Sequence, residues 1–255
     1  MPVTLRIQDS VGIVTIDREA KLNALDLQSF HEIEKIVDRA KGDRDIRSLI
    51  FTTAGKRAFS AGADINDLAG LSADEASERA TFRRFALQRL AEAAVPTIAL
   101  VEGFAMGGGV ELAMACTFRL ATAQATFSFP EINLGLLPGA GATQRLPRLV
   151  GVSRALDMML TARKVDAEEA LRIGLIDRIV KDPLDEALEF ANQWNRFSRS
   201  AVAGIMAATR HSELPIREGL VKEGEELALL STSKDGIEGV TAFLEKRRPV
   251  FNRTP

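Results

Sequence analysis

Hydrophobic and polar positions change period several times along the chain, and each change marks an element. Val3 to Gln8 and Val11 to Ile16 are rich in β-branched residues and are separated only by Asp9-Ser10, which predicts two strands joined as a hairpin. From Leu27 the period lengthens. Leu27, Phe30, Ile33, Val37 and Ala40 recur at helical spacing, with Asp26 placed to cap the helix and Gly42 to end it. The run IRSLIFTT, 46 to 53, is the short continuous apolar type that predicts a strand covered on both faces, and a glycine-bearing loop, 54 to 66, follows its carboxyl end. Ser72 and Glu75 form a capping box that opens a helix running toward Ala93. Pro96 then resets the chain into a second buried strand, TIALVE, 97 to 102.

Short strand-like pieces return between Phe118 and Phe129, and Pro130-Glu131 leads into the loop INLGLLPGAGATQRLPRLVG. Asp166 caps a helix that Gly174 closes, Ile176 to Val180 reads as another strand, and beyond Pro183 the pattern is helical almost to the end. Strands alternating with helices predict an α/β core over 1–195, and the remainder, 196–255, predicts a helical section. No fixed-period repeat and no low-complexity linker divides them.

Composition narrows the function classes. The most apolar window, Val95 to Phe118, is interrupted by Glu102, Glu111, Pro96 and glycines at 103, 107, 108 and 109, so it reads as buried core and no membrane contact is expected. A formal net charge of −2 spread over many charges of both signs gives no long-range field for a polyanion. The basic stretch EKRRPVFNR is short and reads as a solvated helix end, so nucleic acid is not an expected partner. His31 and His211 are far apart and Cys116 stands alone, which offers no ligand spacing for a metal and no internal disulfide. His31 reads as a solvated helix-face residue and Cys116 as a small core residue. The start MPVTLRIQDS lacks a basic-then-apolar leader, and the cytosol is the expected compartment.

The chemistry concentrates where glycines meet carboxylates. In GFAMGGGVELAMAC, 103 to 116, three glycines run from a buried strand into a helical reading, which puts free backbone N–H groups at a helix start. The loop KRAFSAGADI, 56 to 65, presents small residues Ala61-Gly62-Ala63 at the end of another buried strand, where ligands of α/β sheets sit. Two such loops could aim two amides at one oxygen and form an oxyanion hole. Glu111 and Glu131, near such a site, fit acid/base work on a carbonyl compound. A dinucleotide fingerprint competes on Gly107-x-Gly109 with Glu131 about 20 residues on, but Leu112 stands where its third glycine belongs.

Together, NAL at 23 to 25, FSAGADI at 59 to 65, GFAMGGGVELAMAC and FPEINLGLLPGAGATQRLPRLVG at 129 to 151 resemble the enoyl-CoA hydratase/isomerase (crotonase) family over essentially the whole chain. The resemblance implies a crotonase-like spiral of ββα units with a helical C-terminal section through which trimers, or dimers of trimers, assemble. It implies an acyl-CoA thioester as substrate, coenzyme A entering only as part of it and no separate cofactor. By the same resemblance, backbone N–H groups of Ala63 and Gly108 hold the thioester oxygen as an enolate forms. Glu111 and Glu131 hold the water, and Gly139 lies beside it. Arg57, Ile65 and the carbonyl of Ala61 match positions that touch the CoA moiety, and Phe243 and Lys246 match residues that reach a CoA in a neighbouring subunit. Asn66 stands where many relatives have a lysine, and Thr117 replaces an aspartate. Retention of both glutamates favours hydration of a 2-enoyl-CoA or the reverse dehydration. The competing functions are a Δ3,Δ2-isomerase using Glu131 alone, a non-catalytic CoA-thioester or RNA-binding module, and a nicotinamide-dependent oxidoreductase.

Overall fold

The computed structural model describes residues 2–67 and 69–251; Met1, Leu68 and the last four residues, including Asn252 and Arg253 of the basic stretch, lie outside them. Strands β1 (Val3–Gln8) and β2 (Val11–Ile16) pair antiparallel, with Val3 opposite Ile16 and Gln8 opposite Val11. Asp9 and Ser10 both take left-handed backbone, φ 50° and 64°, the twist that a two-residue hairpin needs. Helix α1 (Leu27–Gly42) starts where Asp26 accepts a hydrogen bond from the Ser29 amide at 2.8 Å.

After α1 the chain repeats one motion three times. A long strand is followed by a short one and then by a helix: β3 (Ser48–Thr53), β4 (Ala58–Ser60) and α2 (Ala73–Ala91); β5 (Thr97–Val101), β6 (Phe104–Met106) and α3 (Gly108–Ala115); β7 (Phe118–Thr122), β8 (Thr126–Ser128) and the pair α4 (Ala142–Val150) and α5 (Val152–Thr161). Then come β9 (Val165–Asp166), α6 (Ala167–Ile173) and β10 (Arg178–Val180). The long strands join β1, β2 and β10 in a six-stranded sheet of order β1-β2-β3-β5-β7-β10, and the short ones make a four-stranded sheet, β4-β6-β8-β9. Each ββα unit therefore advances one position in both sheets, which is the expected spiral.

The large sheet is buried on both faces. Leu49 and Phe51 point into the main core with α1, α2 and α3, while Ile50, Ile98, Leu100 and Leu120 pack beneath α7 (Pro183–Asn192). Alternation within a doubly covered strand explains why 46 to 53 reads as one apolar run. The strand itself begins at Ser48 and not at Ile46, because its neighbour β2 begins opposite it at Val11 and only the hairpin turn precedes that. Likewise β10 begins at Arg178, because the amides of Leu175 and Ile176 both turn back to the Ala170 carbonyl to close α6. Helix α2 ends at Ala91, two residues before the expected Ala93.

Helices α8 (Arg199–Arg210), α9 (Ile216–Ser231) and α10 (Lys234–Leu244) follow, capped by Ser198 before α8 and Ser233 before α10. No helix among the described residues is long and apolar enough to cross a membrane. His31 is exposed, as expected, with its ring 4.2 Å from that of Phe82. Cys116 is buried, and desolvation pushes its thiol up to about 12, so it acts as a packing residue.

Candidate active site

The site forms where the ends of β4 and β6 bring two loops together backbone to backbone. At Gly107, which caps α3, φ is 47° and ψ −116°, a region open in practice only to glycine. That turn lets the Gly107 amide bond to Ser128 O at 2.9 Å and its carbonyl receive the Glu111 amide at 3.0 Å. The next residue faces the neighbouring loop so closely that a β-carbon on Gly108 would stand 3.2 Å from the amide nitrogen of Ala63.

The loop carrying Ala63 is clamped from the other side by residues 22–25. Ala61 N donates to Leu22 O, Leu25 N to Gly62 O, and Asp64 N to Leu25 O, at 2.7–2.9 Å. Asn23, buried and itself left-handed, donates to the carbonyls of Ala54 and Ala58 at 3.0 and 2.8 Å. Asp64 is buried beneath the loop with Arg18 at 2.9 Å and Lys21 at 3.2 Å, and the Arg18 hydrogen bond holds its carboxyl well below the usual range. The clamp engages the amides on either side of Ala63. Among the described residues, neither Ala63 N–H nor Gly108 N–H has a protein acceptor, and the two stand side by side. Two neighbouring amides without acceptors suit a developing negative charge on oxygen.

Two carboxylates flank them. Glu111, on the first turn of α3, is 2 % exposed, and its Oε1 accepts the amides of Ala140 and Ala142 at 2.7 and 2.9 Å. Burial raises its pKa, against the pull of those amides and of the Arg145 charge. Glu131 lies in the short 3₁₀ turn Pro130–Leu134, with its carboxylate against the α-carbon of Gly107, where any β-carbon would overlap Oε1. Its Oε2 is buried without a hydrogen-bond partner, and desolvation, with the charge of Glu111 adding to it, pushes the carboxyl up to about 7. Burial thus raises both carboxyls, Glu111 against two amide donors that favour its anion and Glu131 with no donor on Oε2.

A family model described as enoyl-CoA hydratase/isomerase matches residues 6–254. The chain belongs to the enoyl-CoA hydratase/isomerase family. It is 41% identical over 244 residues to the protein named probable enoyl-CoA hydratase echA8 of Mycobacterium tuberculosis, the match covering 94% of each chain. It is 36% identical over 249 residues to the short-chain-enoyl-CoA hydratase of Clostridium acetobutylicum, covering 96% of this chain and 95% of that one. Among solved structures, the enoyl-CoA hydratase from Bacillus anthracis superposes with a TM-score of 0.91 at 32% identity, over 98% of this chain and 99% of the other. The α/β crotonase fold read from the sequence is thus the fold observed.

Other residues singled out by the family resemblance lie on these loops or at the C-terminal helices. Gly139 is exposed and immediately precedes the Ala140 amide that holds Glu111, and no atom lies within 4 Å of where its β-carbon would be. Ala61 sits in the clamped loop, Ile65 is 64% exposed on its outer side, and Arg57 is exposed, its carbonyl receiving the Phe104 amide at 3.2 Å. Phe243, 82% exposed, lies in the last turn of α10, and Lys246 lies just beyond the end of that helix in this enoyl-CoA hydratase/isomerase family chain. The carboxylate of Glu131, which a dinucleotide reading would assign to a ribose, lies instead against Gly107. Thr117 pairs with Thr97, its hydroxyl receiving the Thr97 amide at 3.1 Å and its amide donating to the Thr97 hydroxyl at 2.9 Å, a role in joining β5 to β7.

Sequence reasoning missed four residues of this neighbourhood. Arg18 and Asp64 brace the Ala63 loop from below. Arg145 ties the Ala140 carbonyl at 3.1 Å to Gln88 of α2 at 2.8 Å, fixing the segment whose amides hold Glu111. Arg83, on the buried face of α2, feels the charge of Glu111.

Proposed function

We propose that this chain is a hydro-lyase that adds water across the double bond of 2-enoyl-CoA thioesters, giving 3-hydroxyacyl-CoA, and catalyses the reverse dehydration. The observation that carries this reading is the meeting of two acceptor-free amides with two carboxylates, the buried Glu111, whose Oε1 accepts two amides, and the half-buried Glu131, whose Oε2 has no partner. The thioester oxygen receives hydrogen bonds from Ala63 N–H and Gly108 N–H, which stabilise the enolate as negative charge builds on it; one such donor is typically worth about 3–4 kcal/mol. Ionised Glu111 takes a proton from water as the water oxygen adds to the β-carbon, and protonated Glu131 gives its proton to the α-carbon. The sum is H and OH added to the alkene, and dehydration reverses both transfers. Arg57, the Ala61 carbonyl and Ile65 contact the CoA moiety, Gly139 leaves room beside the water, and the enzyme works in the cytosol.

The test is to follow the conjugated enoyl-thioester absorbance after adding a four-carbon 2-enoyl-CoA to the purified protein. Loss of absorbance with formation of the 3-hydroxyacyl thioester is expected; a protein that leaves it unchanged is not a hydratase. The neutralising burial of Glu131 alone also suits a proton shuttle between α- and γ-carbons, so a 3-enoyl-CoA is assayed in parallel. A gain of conjugated absorbance faster than hydration would make isomerisation the main activity.

Self-association is part of the same proposal, with 1–195 as the catalytic core and 196–255 as the assembling section. Within α8, α9 and α10 only Gly204 and Ala242 are buried, while Ile216, Leu229, Val240, Phe243 and Leu244 are each more than half exposed. So much uncovered apolar surface on one section fits a trimer or a dimer of trimers, in which Phe243 and Lys246 reach a neighbour's CoA. Light scattering after gel filtration is expected to give a mass of three or six chains. A monomer at micromolar concentration would overturn this part.

A further inference from the structure

Arg83 occupies an unusual position for an arginine. It lies on the core-facing side of α2, one turn before Leu87 and two before Leu90, and is 7% exposed. Its Nε and Nη2 are buried and donate no hydrogen bond to the protein. The carboxylate that pairs with it, Oδ2 of Asp67, is 3.7 Å from Nη2, beyond hydrogen-bond length, and already accepts the Leu27 amide at 2.9 Å. Arg119, which is buried to the same degree at 6%, shows what a structural arginine looks like in this fold. Its Nε, Nη1 and Nη2 are engaged by Leu175 O at 2.7 Å, Cys116 O at 3.1 Å and the Asp177 carboxylate at 3.1 Å. A guanidinium offers five donors in a planar fork, and leaving two of its three nitrogens buried without acceptors is strongly unfavourable unless a ligand completes the site.

The position says which ligand. Asp67 ends the short turn Ile65–Asp67 that directly follows the loop of Ala63, and α2 packs against α3, which carries Glu111. Arg83 is thus paired with Asp67 beside the Ala63 loop and feels the charge of Glu111 on α3. Arg79, one turn earlier, spends Nη1 on the Asp67 carbonyl at 3.0 Å. Asp67 therefore faces two arginines with one carboxylate whose Oδ2 the Leu27 amide already occupies, and the Arg83 fork keeps Nε and Nη2 without a hydrogen-bond acceptor. We propose that Arg83 determines specificity by receiving a second carboxylate on the acyl chain, so that the preferred thioesters are those of dicarboxylic acids. This inference rests on the acyl-CoA reading of the site. A carboxylate matches the guanidinium fork in both geometry and charge, which a hydroxyl or an alkyl end does not.

Saturated thioesters test it without requiring turnover. Binding of glutaryl-, adipoyl- and pimeloyl-CoA is measured calorimetrically against pentanoyl-, hexanoyl- and heptanoyl-CoA, using the full chain. At least one dicarboxylic thioester is expected to bind about tenfold or more tighter than its neutral counterpart of equal length, as a buried charge-assisted pair implies. Arg83→Met is expected to erase that difference while leaving affinity for the neutral series unchanged, and Arg83→Lys to retain part of it. Wild-type protein that binds the neutral thioester as well at all three lengths overturns the proposal, whether or not the variants fold. So does a loss in Arg83→Met that falls equally on both series, because that is the mark of a purely structural arginine. A preserved dicarboxylic preference in a protein that hydrates no enoyl-CoA supports the role of Arg83 and overturns the hydratase reading instead.

Discussion

Glu131→Gln is expected to lower kcat for hydration by about 10³-fold, within the range for loss of a general acid, while affinity for a saturated acyl-CoA stays within about threefold. The substitution is isosteric, and the carboxylate has no donor on Oε2 whose loss would disturb the loop, so the effect falls on proton transfer and not on packing. Glu111→Gln is expected to lose activity to a similar degree, since its amide oxygen can still accept the Ala140 and Ala142 amides and hold their segment in place. The pH dependence has a definite sign. With the Glu131 carboxyl raised from 4.5 to about 7, wild-type kcat/KM should fall as pH rises past that value and the pair loses its proton. Stability follows the same linkage. An acid whose folded pKa lies above its unfolded one binds more protons when folded, so its destabilising effect is absent below about 4.5, grows with pH, and is complete above about 7. Glu131→Gln should therefore raise the melting temperature relative to wild type at pH 8, with the gain vanishing near pH 4.5. A Glu131→Gln enzyme that retains most of its activity would remove the two-carboxylate mechanism.

What the sequence displays are groups whose signal is local. The glycine run ahead of Glu111 is one: an acid within an apolar stretch, just after residues that permit close backbone approach, shows that something must approach. The capping pair Ser72 and Glu75 is another, and both of its hydrogen bonds form, at 3.3 and 2.8 Å. The clamp beneath Ala63 is not local. Arg18 and Asp64 are 46 residues apart and meet only because the loop after β4 crosses residues 22–25, and no spacing encodes that meeting. Arg83 is an intermediate case. Arg79, Arg83, Arg84 and Arg89 crowd α2 without a clear apolar stripe, and only the offsets of four and seven to Leu87 and Leu90 show that Arg83 shares the buried face. The short strands β4, β6 and β8 are likewise three residues each, too brief for periodicity, and are defined by pairing with one another.

Gly107→Ala is the second substitution with a large expected effect, and it separates backbone architecture from side-chain chemistry. At φ 47° and ψ −116° an L-residue is strained by about 1–3 kcal/mol whatever surrounds it. Here the added methyl would also overlap Oε1 of Glu131. Relief requires either that Glu131 leave the site or that the Gly107 peptide rotate. Rotation would turn the Gly108 amide away from Ala63 and release the Glu111 amide from the Gly107 carbonyl, which accepts it at 3.0 Å. Either route disables the centre, so kcat should fall by about 10²-fold or more, the scale of losing one oxyanion donor. The melting temperature should drop by about 2–12 °C, since 1 kcal/mol corresponds to roughly 2–4 °C in a chain of this size. Gly139→Ala is the control, because its backbone is ordinary and a β-carbon there meets nothing within 4 Å. It should melt with the wild type, and any activity it loses would report the space beside the water and not the fold. If Gly107→Ala kept both wild-type melting and wild-type turnover, the amides of Ala63 and Gly108 could not be jointly aimed by this turn, and the oxyanion geometry would have to be abandoned.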